Sequence, residues 1–292
     1  MSEAFETYDP NRLAEKARLA DVGALALYRA ACPCHTDVPG FVKAFADDDI
    51  ALSYSILRQA NPLPEMCSHL NPPWLFAEGA RAERALGHIP TAISDIQYTV
   101  AWLARDAGLL GVILPDAESG RHVAIVGGGP TGIACAVKLL EQGHRVTIIE
   151  RENVLGGTPQ CLIPSRRLPD IQPEINAVLA PALSGGRLEL RLGEAVGRDV
   201  EIESLSDRYD AVLVAIGLWQ EPSLGSADAV VSGIDFLRET KAGSRASVPG
   251  EVAVLAGDDC AMDASVAAQL LGARNVYIVY EGPRSDMHWC RD

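Results

Sequence analysis

The chain has 292 residues, of which 48% are hydrophobic and 22% charged, as expected for two modest globular domains or one α/β domain with a helical extension. The net charge of −14 argues against a nucleic-acid partner, because neutralising phosphates requires a positive surface. The sequence contains no run of 18 apolar residues and no basic, apolar leader. We therefore expect a cytoplasmic protein without a membrane partner.

The first part of the chain has helical periodicity. Apolar residues recur at three- and four-residue spacing from residue 11 to about residue 31, and shorter helices are predicted at 40–46, 50–59 and 91–107. Prolines 62, 64, 72 and 73 indicate a loop-rich stretch between them. We predict a helical domain over residues 1–118, ending in a linker.

After the linker the pattern changes to alternating strands and helices. Strands at 122–126 and 145–150 flank a helix at 131–142, and strands at 251–255 and 275–280 flank a helix at 262–271. Two further strands are predicted at 188–192 and 211–216. The chain is therefore predicted to be α/β, with a Rossmann-like domain over 119–224 and a partial second nucleotide domain over 225–292.

A glycine-rich loop joins the strand at 122–126 to the helix that follows it. In Gly127-Gly128-Gly129-Pro130-Thr131-Gly132, the first glycine permits a tight turn, Gly129 permits close approach of a pyrophosphate, and Gly132 permits helix–strand packing. Glu150 ends the next strand, where a carboxylate accepts hydrogen bonds from an adenosine ribose. The spacing predicts a dinucleotide site, and the alternative is a Rossmann unit kept for architecture alone.

Several motifs after the loop occur in the order of one family. These are Leu155-Gly156-Gly157, Ile163-Pro164 with Arg167-Leu168-Pro169, Tyr209-Asp210-Ala211-Val212 with Ala215-Ile216-Gly217, and Ala261-Met262-Asp263. From Ala14 to His288 the chain resembles the small subunit of bacterial glutamate synthase and the N-terminal half of dihydropyrimidine dehydrogenase. The resemblance implies a helical domain with two iron–sulfur clusters, an FAD domain and an inserted NADPH domain. Electrons in that family pass from NADPH to FAD and through the clusters to a partner.

The resemblance also implies a set of residues that hold FAD and assigns no catalytic side chain. The ADP half would bind the glycine loop and Glu150, and the later residues would approach the pyrophosphate and flavin. The implied set is Gly127, Gly129, Pro130, Thr131, Gly132, Glu150, Arg151, Gly156, Gly157, Arg167 and Gly217.

The cluster ligands depart from the family pattern. Two of the eight family cysteines remain, Cys32 and Cys67, whereas cubane clusters normally take four thiolates each, so we expect no iron–sulfur cluster. Cys32, Cys34, His35, Cys67 and His69 could instead be a zinc site or ordinary buried and surface residues. The sequence leaves that choice open, and we predict no metal.

The second nucleotide motif departs as well. Asp258 replaces the glycine expected to approach a pyrophosphate, and Glu281-Gly282 replaces an arginine pair, so NADPH binding is predicted to be unlikely. The sequence ends at Asp292, before the part of the family that returns to the FAD domain. We therefore expect the second nucleotide domain to be partial.

Three functions are compatible with these features. The first is an FAD-binding oxidoreductase subunit that passes electrons to or from a partner chain. The second is a non-catalytic scaffold derived from such a reductase, and the third is an NAD(H)-linked flavoenzyme acting alone. The first and second both predict a second protein subunit or self-association, because a partial domain leaves apolar faces uncovered around residues 252–254 and 266–271.

Overall fold

A computed structural model describes residues 9–72, 74–219, 230–283 and Met287. The chain divides into two units. The first is formed by residues up to Gly156 together with Asp170–Ile216, and the second by Gly157–Pro169 together with the described residues from Gly217 onwards. The domain boundary predicted between residues 224 and 225 lies outside the described residues, and so does His288 at the end of the resemblance.

The first unit begins with seven helices. They are α1 (Pro10–Ala17), α2 (Val22–Ala31), α3 (Val38–Ala46), α4 (Ile50–Ala60), α5 (Pro64–Leu70), α6 (Ala77–Ala85) and α7 (Ile93–Asp106). Their apolar faces form one core, in which Tyr28, Phe41, Phe45, Leu57 and Ile96 are at most 2% exposed. None of the helices in the described ranges is long and apolar enough to cross a membrane.

Two sequence-based expectations for this region are wrong. The single helix predicted over residues 11–31 is two helices, because the Asp21 side chain accepts a hydrogen bond from Ala24 N at 2.9 Å and begins α2 afresh. The stretch predicted to be loop-rich contains α5, with Pro64 in its first turn. Proline is tolerated there because the first N–H groups of a helix have no intrahelical partner.

The rest of the first unit is built on a parallel sheet. Its elements are β1 (His122–Val126), α8 (Pro130–Glu141), β2 (Arg145–Glu150), α10 (Gln172–Ser184), β3 (Leu188–Leu192), α11 (Ile202–Arg208) and β4 (Ala211–Val214). The strand order is β3-β2-β1-β4, and Val123 pairs with Val146 on one side and Ala211 on the other. This is the order expected of a Rossmann-like domain, so the predicted fold class is confirmed.

The second unit is smaller. It contains α9 (Gly157–Cys161), α12 (Gly233–Lys241), β5 (Glu251–Leu255), α13 (Asp259–Leu270) and β6 (Asn275–Val279). Strands β5 and β6 are parallel, with Val252 opposite Val276. A small core joins Leu162, Leu237, Ala264 and Ala267. The β-α-β unit predicted near the end of the sequence is therefore present.

Candidate functional site

The glycine loop is folded so tightly that side chains are excluded from it. Gly127 has a φ of 108°, and its N–H donates to Ile149 O at 2.8 Å. A Cβ at position 127 would overlap Ala215 O, and a Cβ at 132 would overlap Gly127 O. The tight turn and the close packing of α8 on the sheet both depend on glycine at these positions.

Helix α8 begins at this loop without a side-chain cap. Gly129 is its N-cap, Pro130 is its first residue, and its first turn contains no acidic residue. The positive end of the helix dipole and the first N–H groups thus remain available to an external acceptor. A helix N-terminus of this kind favours a phosphate group.

Glu150 is oriented by the loop that it faces. Its side chain is 7% exposed, Oε2 accepts from Gly128 N at 2.6 Å, and Oε1 accepts from Glu152 N at 2.9 Å. Each carboxylate oxygen can accept more than one hydrogen bond, so capacity for a ligand hydroxyl remains. The structure therefore brings the predicted acid and the predicted loop into direct contact.

Gly128 is a contact that sequence reasoning missed. Gly128 is not one of the three glycines to which the motif assigns a function. A Cβ added at position 128 would nevertheless overlap Leu155 Cδ2, and the Gly128 carbonyl accepts a hydrogen bond from Gly156 N at 2.8 Å. The signal in the sequence was the run of three consecutive glycines. Gly156, with a φ of 116°, is thereby joined to the loop.

The remaining predicted residues do not all belong to this cluster. Arg151 forms a 3.4 Å ion pair with Glu152. Gly157, Arg167 and Gly217 belong to the second unit, where Gly157 and Gly217 have φ values of 56° and 70°. For every residue of the implied set, contact with a cofactor stays a prediction.

The candidate metal ligands lie in the helical region. Cys32 follows α2, Cys34 is exposed, and Cys67 lies within α5, where burial raises the pKa of its thiol to about 12. His69 packs edge-on against Tyr98, with ring centroids 4.7 Å apart. Among the described residues, no group of three or more histidine, cysteine, aspartate or glutamate side chains is arranged to hold a metal.

A second buried carboxylate joins the helical region to the sheet region. Glu174 in α10 is 1% exposed, and its oxygens accept from Glu65 N at 2.7 Å and Met66 N at 2.8 Å at the start of α5. Helix α5 has no cap of its own, so Glu174 supplies the acceptor. Burial raises the pKa of Glu174 to about 8, although the two N–H donors act in the opposite direction. No sequence motif pointed to this residue.

Comparison with known proteins identifies the family. Residues 74–164 and 121–286 match the family of pyridine nucleotide-disulphide oxidoreductases. The chain belongs to this family. Residues 3–107 match the family described as dihydropyrimidine dehydrogenase domain II, 4Fe-4S cluster. The predicted resemblance is confirmed, and the chain is a member of an oxidoreductase family with relatives named glutamate synthase small chain.

Curated relatives cover most of this chain. The NADP(+)-dependent formate dehydrogenase subunit beta of Moorella thermoacetica is 33% identical over 88% of this chain and 39% of its own length. The glutamate synthase [NADPH] small chain of Escherichia coli K12 is 28% identical over 88% of this chain and 57% of its own length. An NAD-dependent dihydropyrimidine dehydrogenase subunit of E. coli O157:H7 is 29% identical over 85% and 60%. The chain thus spans between two fifths and three fifths of these relatives.

The expectation of no iron–sulfur cluster is wrong, because residues 3–107 match a domain family defined by its 4Fe-4S cluster. The expectation rested on the cysteine positions alone, whereas the family model matches the segment as a whole. The sequence places three cysteines in this domain, Cys32, Cys34 and Cys67, one fewer than the four thiolates that usually hold such a cluster. Because this thiol set does not match that requirement, we derive no electron-transfer step through a cluster.

The expectation against NADPH is corrected as well. The family match runs to residue 286, through the segment that contains Asp258 and Glu281. The carboxylate of Asp258 accepts from Ala261 N at 2.9 Å and caps α13. The sequence analysis considered only that the charge of Asp258 would repel a phosphate. In the structure the same carboxylate also caps a helix.

Proposed function

We propose that this chain binds FAD through its first unit and is the flavin-dependent electron-transfer subunit of a larger oxidoreductase. The observation that supports it best is the 2.6 Å bond from Gly128 N to Glu150 Oε2, which fixes the acid at the end of β2 against the loop before α8. The relatives named as a small chain or subunit beta support a protein partner in general.

The residues of the first unit fit the ADP half of FAD. In this proposal the pyrophosphate lies at the uncapped start of α8, where glycines at 127 and 132 leave no side chain in the way. Glu150 accepts hydrogen bonds from the adenosine ribose, and Gly156 continues the backbone surface beside Gly128. The residues thus bind and orient the cofactor.

The chemistry that such a subunit needs comes from the cofactor. Bound FAD would supply hydride and single-electron transfer, while the protein supplies binding, orientation and electrostatics. We assign no side chain of this chain to proton transfer, and we propose that the electrons pass to or from a partner chain. The alternative is a scaffold subunit descended from such a reductase, in which the Rossmann fold has only a structural role.

The test is FAD binding by Glu150→Gln, with Glu189→Gln as the matched control. Glu189 lies in β3 opposite Thr147, near the start of the parallel strands, and its exposed side chain accepts from Thr147 Oγ1 at 3.3 Å. Loss of a charge-assisted hydrogen bond predicts about 10- to 100-fold weaker FAD binding in Glu150→Gln and little change in the control. The measurement is quenching of flavin fluorescence on titration with the purified chain.

The absorbance spectrum of the natively purified protein separates the two functions. Flavin bands that bleach on addition of a reductant and recover on addition of an acceptor support the electron-transfer subunit. A colourless protein that takes up no added FAD would overturn the proposal and favour the scaffold. Equal FAD affinity in Glu150→Gln and wild type would contradict the assigned role of Glu150.

A further inference from the structure

The segment from Gly157 to Arg167 is packed within the second unit. It begins with the short helix α9, and Leu162, which is 7% exposed, packs with Leu237 of α12 and Ala264 of α13. This segment contains two of the predicted cofactor contacts, Gly157 and Arg167. Its conformation therefore depends on side chains from α12 and α13.

Lys241, in the last turn of α12, fixes the helical part of the segment. Its Nζ donates to Pro159 O at 3.0 Å and also to Ile163 O. Carbonyls at the C-terminal end of a helix have no intrahelical donor, and a lysine ammonium can supply one. A single charged group thus ties together both sides of the turn after α9.

Asp263, in α13, fixes the other end of the segment. Its Oδ2 lies 3.0 Å from Arg167 Nη1, and the two side chains are 12% and 25% exposed. Asp259 Oδ2 lies farther from the same nitrogen, at 4.0 Å, and its side chain is 62% exposed. Asp263 is therefore the closer and better shielded partner of Arg167.

We propose that Lys241 and Asp263 are positioning residues, which hold the Gly157–Arg167 segment in one conformation and orient the Arg167 guanidinium. Neither residue belongs to the predicted cofactor-binding set. That the oriented Arg167 serves a flavin rests on the proposed function. The conformational part of the inference rests on the contacts within the second unit alone.

The electrostatic surroundings of Asp263 supply a pH-dependent readout. Burial raises the pKa of Asp263 to about 6, Asp259 acts in the same direction, and Arg167 and Lys241 act against it. Arg167 lowers the pKa of Asp263, so an opening of the segment that withdraws Arg167 and leaves Asp263 packed on α13 raises this pKa, and acidification then favours the opened form. Acidification of the wild-type protein should therefore reproduce the effect of Asp263→Asn.

Hydrogen–deuterium exchange of the flavin-free full chain tests the conformational part. At about pH 7.5, Lys241→Met and Asp263→Asn should each accelerate exchange of the 158–168 amides by roughly fivefold or more, because each loosens one end of the segment. Asp259→Asn is the matched control and should change exchange less than twofold. Unchanged exchange in both test variants would overturn the inference.

Two further readouts separate positioning from general destabilisation. After correction for the intrinsic pH effect, exchange of wild type should approach that of Asp263→Asn at about pH 5, while the variant stays constant. The denaturation midpoint of Asp263→Asn should not fall, because the raised pKa of Asp263 means that the folded chain favours its neutral form, and asparagine is a neutral side chain of the same shape. The role assigned to Asp263 would be contradicted if exchange of the wild-type segment did not depend on pH. It would also be contradicted if Asp263→Asn exchanged faster throughout the second unit.

FAD titration of the same variants tests the orientation of Arg167. Asp263→Asn should raise the dissociation constant by about tenfold, as expected for a displaced charged donor, and Asp259→Asn should leave it within twofold. Loosened exchange with unchanged affinity would overturn the flavin-facing role of Arg167. A wild-type chain that binds no FAD would count against the proposed function and leave the exchange result valid.

Discussion

At the scale of single residues, two buried glutamate side chains accept the same kind of hydrogen bond but have different roles. Glu150 and Glu174 each accept two backbone N–H bonds. Glu150 orients an acid beside the loop at the start of α8, where the helix is uncapped. Glu174 caps α5 and joins the helical region to α10. The first contact prepares a binding site, whereas the second stabilises the packing of two regions.

Glu174 should make the stability of the first unit depend on pH. Its pKa is about 8 in the folded chain against an ordinary value of 4.5, so the folded state binds the proton more tightly than the unfolded state. The contribution of Glu174 to stability is complete below about pH 4.5 and is lost as the pH rises towards about 8. We expect Glu174→Gln to flatten this part of the pH profile, measured as urea midpoints between about pH 5 and about pH 8.

A matched control for this profile is Glu201→Gln. Glu201 precedes α11 as its N-cap residue but makes no side-chain cap bond and is exposed. Replacing Glu201 should leave the slope of urea midpoint against pH the same as in the wild type. A Glu174→Gln variant with the full wild-type slope would show that Glu174 is ionised in the folded chain at neutral pH.

At the scale of secondary-structure elements, the two β-α-β units start their helices differently. Helix α8 begins after Gly129 without a side-chain cap, whereas α13 begins after Asp258, which accepts from Ala261 N. A capped helix end has its first N–H groups partly satisfied within the chain. The start of α8 is thus the better of the two for an external anion.

The Asp258 cap should stabilise α13 measurably. Replacing an N-cap aspartate with alanine typically costs about 0.5–2 kcal/mol. We expect hydrogen exchange of the Ala261 amide to be faster in Asp258→Ala, by the factor that corresponds to this free-energy cost. Ser232→Ala, which removes the equivalent cap of α12 at Asp235 N, should leave Ala261 unaffected. Equal protection of Ala261 in Asp258→Ala and wild type would mean that this hydrogen bond is not formed in solution.

At the scale of the whole molecule, the described residues of the second unit pack against one face of its two-stranded sheet and leave apolar side chains exposed on the other. Val254 packs towards α12 and α13, while Leu255, Tyr277 and Val279 are 56%, 54% and 52% exposed. Of the residues predicted to be uncovered, Val252 and Val254 are half-buried and Ala253 between them is exposed. Clustered exposed apolar side chains of this kind favour association with another protein surface.

Self-association through this face is the expected result for the isolated chain. The double variant Leu255→Thr with Val279→Thr places β-branched threonine at both strand positions but removes apolar surface, so its mass by light scattering should rise less with concentration. Val214→Thr, at an equally exposed position of β4 in the first unit, is the control. A wild-type chain that stays monomeric at every concentration would contradict this expectation.

The sequence by itself determined the α/β class, the strands at 122–126, 145–150, 188–192 and 251–255, and the glycine loop with its acid. These features follow from local patterns. The buried strand β1 is almost continuously apolar, the partly exposed strand β3 alternates apolar and polar residues, and a turn without room for a Cβ must contain glycine. The family resemblance likewise depends on motifs that are contiguous in the chain.

Only the tertiary structure decided the partners of the charged residues. Glu174 contacts Glu65 and Met66 more than a hundred positions earlier, and Asp263 pairs with Arg167, so no local spacing could indicate either contact. The break of the first predicted helix, by contrast, is a local cap by Asp21, which the periodicity concealed because it continues on both sides. Local patterns specify which elements form. The partners of a buried charge depend on which distant elements pack together, and therefore on the whole fold.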